Sequence, residues 1–323
     1  MTAPDFAPPI FPELLDSTMI QSFRECPQQF FLAHCRGLRT DGEGGSPDLH
    51  FGGCFARAME VTRLAYFTHG RNANEALAEG IIALTRSWGT YEPREGHRKT
   101  YERCVDAFAG YFEQWPLEAD PLIPIRYHAD TIEYSFAHPL PILHPVSGAP
   151  LLYGGRFDML GTINDEVYIV DEKTTSMGFG TSWAEQWQLR NQFLGYTWAV
   201  RRDGVPRAKV LVRGVGIHPT NTAYTQALAS YPEHLLDRWI RALLNTVQQM
   251  CKCWKLMADE GPEAWPRVFG SPCHAYNRQC AYAPMCLARE PEDYASMYVV
   301  HHWSPIPAVV PPSVEPQPTQ AVQ

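Results

Sequence analysis

The stretch 152–175 constrains this chain more than any other. LYGGRFDMLGTI (152–163) and EVYIVDEKTT (166–175) flank Asn164-Asp165, and a two-residue Asn/Asp turn between β-type runs predicts a hairpin. Side chains alternate faces along a strand, so Asp171 and Lys173 share a face and Glu172 points to the other. Closing the hairpin brings Asp158 near Asp171. Val167, Ile169 and Val170 flank these charges, which places them at a sheet edge or mouth.

The hairpin is embedded in a chain whose period changes. Residues 1–15 are Pro-rich and expected to be extended. Asp16 or Ser17 can cap a helix carrying Met19, Ile20 and Phe23, interrupted at Pro27. Residues 40–49 read as a loop. From about 53 to 118 apolar residues recur at spacings of three and four, predicting a helical subdomain. The period becomes two in RYHADTIEYSF (126–136). A long helix is expected through SWAEQWQLRNQFLGYTWAV, a strand at AKVLVRGVGIH (208–218), and a long amphipathic helix over 232–260. The catalytic core is expected within about 126–220, inside one domain spanning 16–290, and residues 304–323, with six prolines in the last twenty, read as a disordered tail or a ligand for a protein partner.

Composition excludes several classes. The chain has 323 residues and is 45% hydrophobic, which rules out wholesale disorder. It holds no uncharged apolar run of membrane-spanning length, and no basic-then-apolar start of a secretory signal. No membrane association and a cytoplasmic site are therefore expected. The formal charge of −8 argues against coating nucleic acid by bulk charge, but allows a local basic path.

Two carboxylates and a lysine in one pocket suit a hard cation. Carboxylate oxygens bind Mg²⁺ or Mn²⁺, and a lysine can orient water or stabilise charge on a phosphoryl group. The plainer alternative is a surface hairpin with a cross-strand ion pair. Gln192 and Tyr196, four residues apart on the following helix, share a face. They can touch phosphate, bound water or a nucleotide, or belong to the core and its surface.

The order Asp158, Asp171-Glu172-Lys173-Thr174-Thr175, then Gln192-x-x-x-Tyr196 resembles the PD-(D/E)XK nuclease superfamily, in particular its RecB-like exonuclease branch. The resemblance is similar to that of CRISPR-associated and AddB-type nuclease domains. It implies an α/β fold with a restriction-endonuclease-like central mixed sheet flanked by helices, a helical insertion and a C-terminal Cys-rich segment. It further implies Mg²⁺- or Mn²⁺-dependent hydrolysis of DNA at ends, in recombination, repair or processing. Asp158 and Asp171 match the metal ligands, Lys173 the catalytic lysine, and Gln192 with Tyr196 the motif helix. The branch often carries a metal-binding His in a G-x-x-x-H-x-x-x-E pattern. Here GGCFARAME (52–60) keeps Gly52 and Glu60 but has Ala56 in the His position. Glu60 or a water then fills that ligand position, or the site is weaker.

Nine cysteines without an export signal are expected to be thiols or metal ligands. Cys273, Cys280 and Cys286 crowd into fourteen residues, at spacings unlike the C-x2–4-C pairs of zinc sites. Thiolates hold either a [4Fe–4S] cluster or Zn²⁺. The same RecB-like resemblance supplies Cys26, in FRECPQQFFL, as the fourth ligand and favours iron–sulfur. Such a staple would close nearly the whole chain. Cys35, Cys54, Cys104, Cys251 and Cys253 read as structural.

Between residues 190 and 213 lie Arg190, Arg201, Arg202, Arg207, Lys209 and Arg213, opposed only by Asp203. This segment is expected to line part of a DNA path or to be a solvated helix end and loop. Two other functions stay open: a catalytically weak subunit that binds DNA or a recombination partner, and an interaction protein stapled by metal.

Overall fold

A computed structural model describes residues 8–40, 46–125, 131–275 and 278–306. The first part of the expected 126–136 strand, residues 41–45 of the expected 40–49 loop, the first seven residues and the Pro-rich tail from 307 lie outside them, and the loop ends earlier than expected because Pro47 already opens a helix.

A seven-stranded mixed sheet forms the centre, flanked by helices. Its strands are β1 (Leu14–Leu15), β2 (Ile123–Pro124), β3 (Ile132–Leu143), β4 (Pro150–Ile163), β5 (Glu166–Thr175), β6 (Lys209–Ile217) and β7 (Thr222–Ala229). They run in the order β1-β4-β5-β6-β7, with β2 and β3 also paired to β4. The β4–β5 and β6–β7 pairs are antiparallel, whereas β5 and β6 are parallel. This is the expected α/β architecture. Asn164 and Asp165, both at positive φ (48° and 65°), make the predicted hairpin turn.

Strand β3 runs beyond its expected end, through Pro139 and Pro141, to Leu143. It pairs only with β4, so the missing proline N–H groups face no ladder, and the register slips between Pro139 and Leu143. Strand β7 was not expected. Its TAYTQALA sequence has weak alternation, and pairing with β6 decides its state.

Helices α1 (Ser17–Glu25), α2 (Pro47–Arg63), α3 (Ala73–Trp88), α4 (Tyr101–Gln114), α5 (Asn191–Arg202) and α6 (Glu233–Glu260) carry most of the remaining apolar surface. Asp16, not Ser17, caps α1, its Oδ1 accepting from Met19 N at 2.7 Å. Helices α2, α3 and α4 pack around Phe55, Phe108 and Tyr111 and against Val215 and Ile217 of β6. Helices α1, α5 and α6 bury Ile20, Phe193 and Leu243 in a larger cluster with Ile169 and Val212.

The single helix expected after Gly178 is two: Thr181–Glu185, and α5 from Asn191. Trp183 and Trp187 are both buried, and the Tyr231 hydroxyl donates to the Trp187 carbonyl. The same carbonyl accepts from Arg190 N at 3.3 Å, a tight turn that separates the two helices. Asn191 then anchors the new helix, donating to Ser17 O and accepting from Trp239 Nε1 at 2.7 Å. No helix among the described residues is long and apolar enough to cross a membrane.

Candidate active site

The β4–β5 ladder ends with Met159 opposite Val170, while β5 stays paired to β6 as far as Thr175. Asp158 and Asp171 are the next residues on the two strands. They therefore sit at a fork where β4 and β5 part. The backbone N–H of Glu172 donates to Asp158 Oδ2 at 2.5 Å across it.

Asp171 is buried, and its Oδ1 meets the Lys173 ammonium at 2.5 Å with no other donor. Lys173 also lies over the Phe193 ring of α5 at 5.8 Å. Burial raises both carboxyls above the usual range, Asp158 strongly, where Glu172, Asp171 and Glu133 add repulsion. At Asp171 the Lys173 ammonium pulls the other way.

Glu172 points to the opposite side, as alternation requires. Arg63 of α2 grips it with both Nη atoms (2.5 and 3.1 Å), and the Tyr111 hydroxyl of α4 donates to it at 2.9 Å. Burial would raise the Glu172 carboxyl, but Arg63 outweighs it and holds the group down at about 2. Behind this pair Arg213 forks onto Asp120 (2.5 and 2.8 Å), donates to the same Tyr111 oxygen, and stacks over Trp115. Arg63, Tyr111, Asp120, Arg213 and Glu172 tie the helical subdomain to the strand that carries Asp171.

On α5, Gln192 donates to the Tyr196 hydroxyl (2.7 Å), which donates to the Arg156 carbonyl at 2.6 Å. The Tyr196 ring packs on Phe136, Phe157 and Phe193 and is 6% exposed. The buried ring presents no stacking face, and its hydroxyl is engaged by Gln192 and the Arg156 carbonyl. Arg156 is two residues before Asp158, so this bridge braces β4 beside the fork.

Glu60 of α2 pairs with Arg57 at 2.5 Å and lies in the electrostatic reach of Glu133. Glu133 escaped the sequence reading. The β3–β4 register places it opposite Asp158, and its φ of 55° breaks the strand's alternation there. Arg156 holds it at 2.9 Å. Burial pushes the Glu133 carboxyl up to about 7; Arg156 lowers it, while Glu60 and Glu172 raise it. An isolated Glu in an alternating strand carries no signal of this.

Of the arginines, Arg190 at the start of α5 lies within electrostatic reach of Asp171. Arg201 donates to the Tyr231 carbonyl (2.8 Å), Arg202 lies over Trp198, and Arg207 is exposed. They gather at the far end of α5, about 15 Å of helix from Gln192. Arg213 and Lys209 are engaged by Asp120 and Glu166.

Cys26 and Cys273 lie within electrostatic reach of both Cys280 and Cys286. Burial raises the Cys280 and Cys286 thiols, and Cys26 and Cys273 add to the rise in each. Around them Cys280 N donates to Cys273 O (2.8 Å), Trp265 Nε1 to Pro27 O (2.8 Å) and Tyr282 OH to Leu38 O (2.8 Å). Early and late segments are thus joined near Cys26. Cys35, Cys54 and Cys104 are buried in the core.

Among the described residues, no three His, Cys, Asp or Glu side chains stand in a ready-made metal geometry. The donor chemistry nevertheless fits: hard carboxylate oxygens at the fork, one with a single cationic partner, and soft thiols at the quartet.

No curated protein matches the sequence. Among solved structures, an exonuclease candidate from Eubacterium rectale aligns at 12% identity and a TM-score of 0.44, covering 74% of this chain and 80% of that one. The protein SSO0001 aligns at 11% identity and a TM-score of 0.26, covering 62% and 85%. The family model of the PD-(D/E)XK nuclease superfamily matches residues 17–287, an interval containing the fork, the α5 helix and all four clustered cysteines. By that match the chain belongs to the PD-(D/E)XK nuclease superfamily.

Proposed function

We propose that this protein is a divalent-metal-dependent DNA nuclease of the RecB-like branch, acting as an exonuclease on DNA ends in recombination, repair or processing. The observation that carries the reading is the meeting of Asp158, Asp171 and Lys173 where β4 and β5 part. Superfamily members generally use divalent metals such as Mg²⁺. Asp158 and Asp171 would hold Mg²⁺ or Mn²⁺, with Glu60 nearby in place of the histidine that Ala56 replaces. The ion, when bound, supplies neutralisation of charge developing on the phosphoryl group.

The chain's own groups do the rest. Lys173, 29% exposed at its side chain, donates toward a water or a phosphate oxygen once released from Asp171. Gln192 and Tyr196 hold β4 in place through the Arg156 carbonyl. Arg190 adds positive charge on the Asp171 side, and Arg201 and Arg202 at the far end of α5, with Arg207 in the turn beyond it, would extend a phosphate path. Cys26, Cys273, Cys280 and Cys286 would hold a [4Fe–4S] cluster that fastens the late segment to the early one. The thiol chemistry suits the reducing cytoplasm. The Pro-rich tail is assigned to a protein partner.

A nuclease assay with Mn²⁺ tests the centre. Digestion of DNA ends by the wild type, abolished in Asp171→Ala and Lys173→Ala, is expected. Equal digestion by all three rejects the site, and DNA binding without digestion by the wild type favours the catalytically weak subunit. Iron and sulfide analysis of protein purified without oxygen tests the quartet. One zinc with no iron or sulfide replaces the cluster with a structural metal.

A further inference from the structure

After the cysteine-rich segment the chain turns back onto its own beginning. Tyr298–Val300 form a short strand antiparallel to Leu38–Thr40, with Val299 opposite Arg39. His301 N donates to Gly37 O at 2.7 Å. The His302 ring lies so close to Gly37 that a Cβ there would meet it at 3.0 Å, and Gly37 has a φ of 67°, so both space and backbone favour glycine. Trp303 then donates through Nε1 to Asp16 Oδ2 at 3.3 Å. This strap, 298–303, lies past residue 287, where the family match ends.

Asp16 is 6% exposed and serves two elements at once. Its Oδ1 caps α1 by accepting from Met19 N at 2.7 Å, while Oδ2 faces Trp303. The next residue passes the contact on: the Ser17 carbonyl accepts from Asn191 Nδ2 at 3.4 Å. Asn191 Oδ1 in turn accepts from Trp239 Nε1 at 2.7 Å. The first turn of α5 needs this outside support, because Arg190 at its N-cap position makes no side-chain cap hydrogen bond. That same turn carries groups of the site. Arg190 is in electrostatic reach of Asp171, and Gln192 holds the Tyr196 hydroxyl that braces the Arg156 carbonyl. A continuous line of hydrogen bonds thus runs from the strap to the helix beside the fork.

We propose that Trp303 is a positioning residue for the active site: by fixing Asp16 and the start of α1, the strap 298–303 sets the end of α5 that bears Arg190 and Gln192. The physical reason is the cost of an unpaired buried oxygen. With Trp303 seated, Asp16 Oδ2 has a donor and the α1 cap holds one geometry. Without that donor Oδ2 turns toward water, and Ser17 O and Asn191 shift with it. Misplacement of reacting groups by about 1 Å is enough to slow a reaction. The catalytic consequence rests on the nuclease reading of the fork; the mechanical coupling does not.

The test uses the full chain. Trp303→Phe keeps an aromatic ring and removes the donor. Asp16→Asn keeps an acceptor for Met19 N but turns an amide NH₂ toward Trp303. Both are expected to speed amide exchange over residues 191–197 by about tenfold or more, while α3 in the helical subdomain exchanges as in the wild type. Both are also expected to lower kcat for DNA cleavage with Mn²⁺ by about threefold to tenfold, well below the melting temperature, with KM within about twofold. A strap that only adds stability would leave kcat untouched. In an Asn191→Ala background, Trp303→Phe should have little further effect, since the route is already cut. Unchanged exchange over 191–197, unchanged kcat in both variants, or a full Trp303→Phe effect retained in Asn191→Ala overturns the inference. If the wild type itself does not cleave, the nuclease reading falls, and amide exchange alone judges the strap.

Discussion

The main-chain N–H of Glu172 reaches Asp158 Oδ2 at 2.5 Å, so one acid of the fork is held by the backbone of the strand that carries the other. The Glu172 side chain meanwhile points away and is gripped by Arg63. A helix-to-strand ion pair thus sets the strand, and the strand sets Asp158. Lys173 closes the other side by pairing with Asp171.

Asp158 and Asp171 should be separable from folding. Asp171→Ala and Asp158→Ala are expected to lower Mn²⁺-supported cleavage by about 10²-fold or more while circular dichroism is unchanged. Mn²⁺ should raise the melting temperature of the wild type and not of Asp171→Ala. A metal-induced shift retained in both variants would place the ion elsewhere.

The Arg63–Glu172 pair should show strong coupling. Side-chain exposure is 4% and 3%, so removing one partner strands a buried charge. Arg63→Met or Glu172→Gln is expected to cost about 3–5 kcal/mol in urea unfolding. The double variant should cost less than the sum of the two. Strict additivity would show that the two groups do not act as a pair.

Glu133 and Glu172 should give opposite pH signatures. Glu172 falls from 4.5 unfolded to about 2 folded, so its contribution is full above pH 4.5 and is lost as pH falls from there toward 2. Glu133 rises to about 7, so the folded state binds the extra proton between pH 4.5 and 7, and stability drops as pH rises through that window. Glu133→Gln is expected to stabilise the metal-free protein at pH 8 by on the order of 1 kcal/mol, and to make little difference at pH 4.5. Thermal melts at the two pH values check this, and an equal effect at both would remove Glu133 from the carboxylate group.

The quartet should act as one unit. Cys280→Ser and Cys286→Ser are each expected to lose bound iron and sulfide, and to lower stability by a few kcal/mol through the lost closure. Cys104→Ser, buried in the helical subdomain, should retain the iron. Full iron in Cys280→Ser would reject the assignment.

The sequence alone determined whatever depends on near neighbours. Alternation put Asp171 and Lys173 on one side and Glu172 on the other, Asn164-Asp165 made the turn, and the hairpin register followed from its length. Helical spacing marked α2 to α4 and α6, because an amphipathic face repeats within a few residues. Tertiary structure decided what depends on distant partners. Arg63 stands 109 positions before Glu172, and nothing local marks either as half of a buried pair. Glu133 joins the carboxylates through register with β4 and a left-handed backbone that no single residue type signals. The helix after Gly178 divides at Trp187, where the buried ring and the hydroxyl of Tyr231, 44 positions away, meet the chain. Periodicity records which face of an element is apolar; it does not record which remote charge or hydroxyl arrives there, since that is settled only when burial makes an unpaired polar group costly.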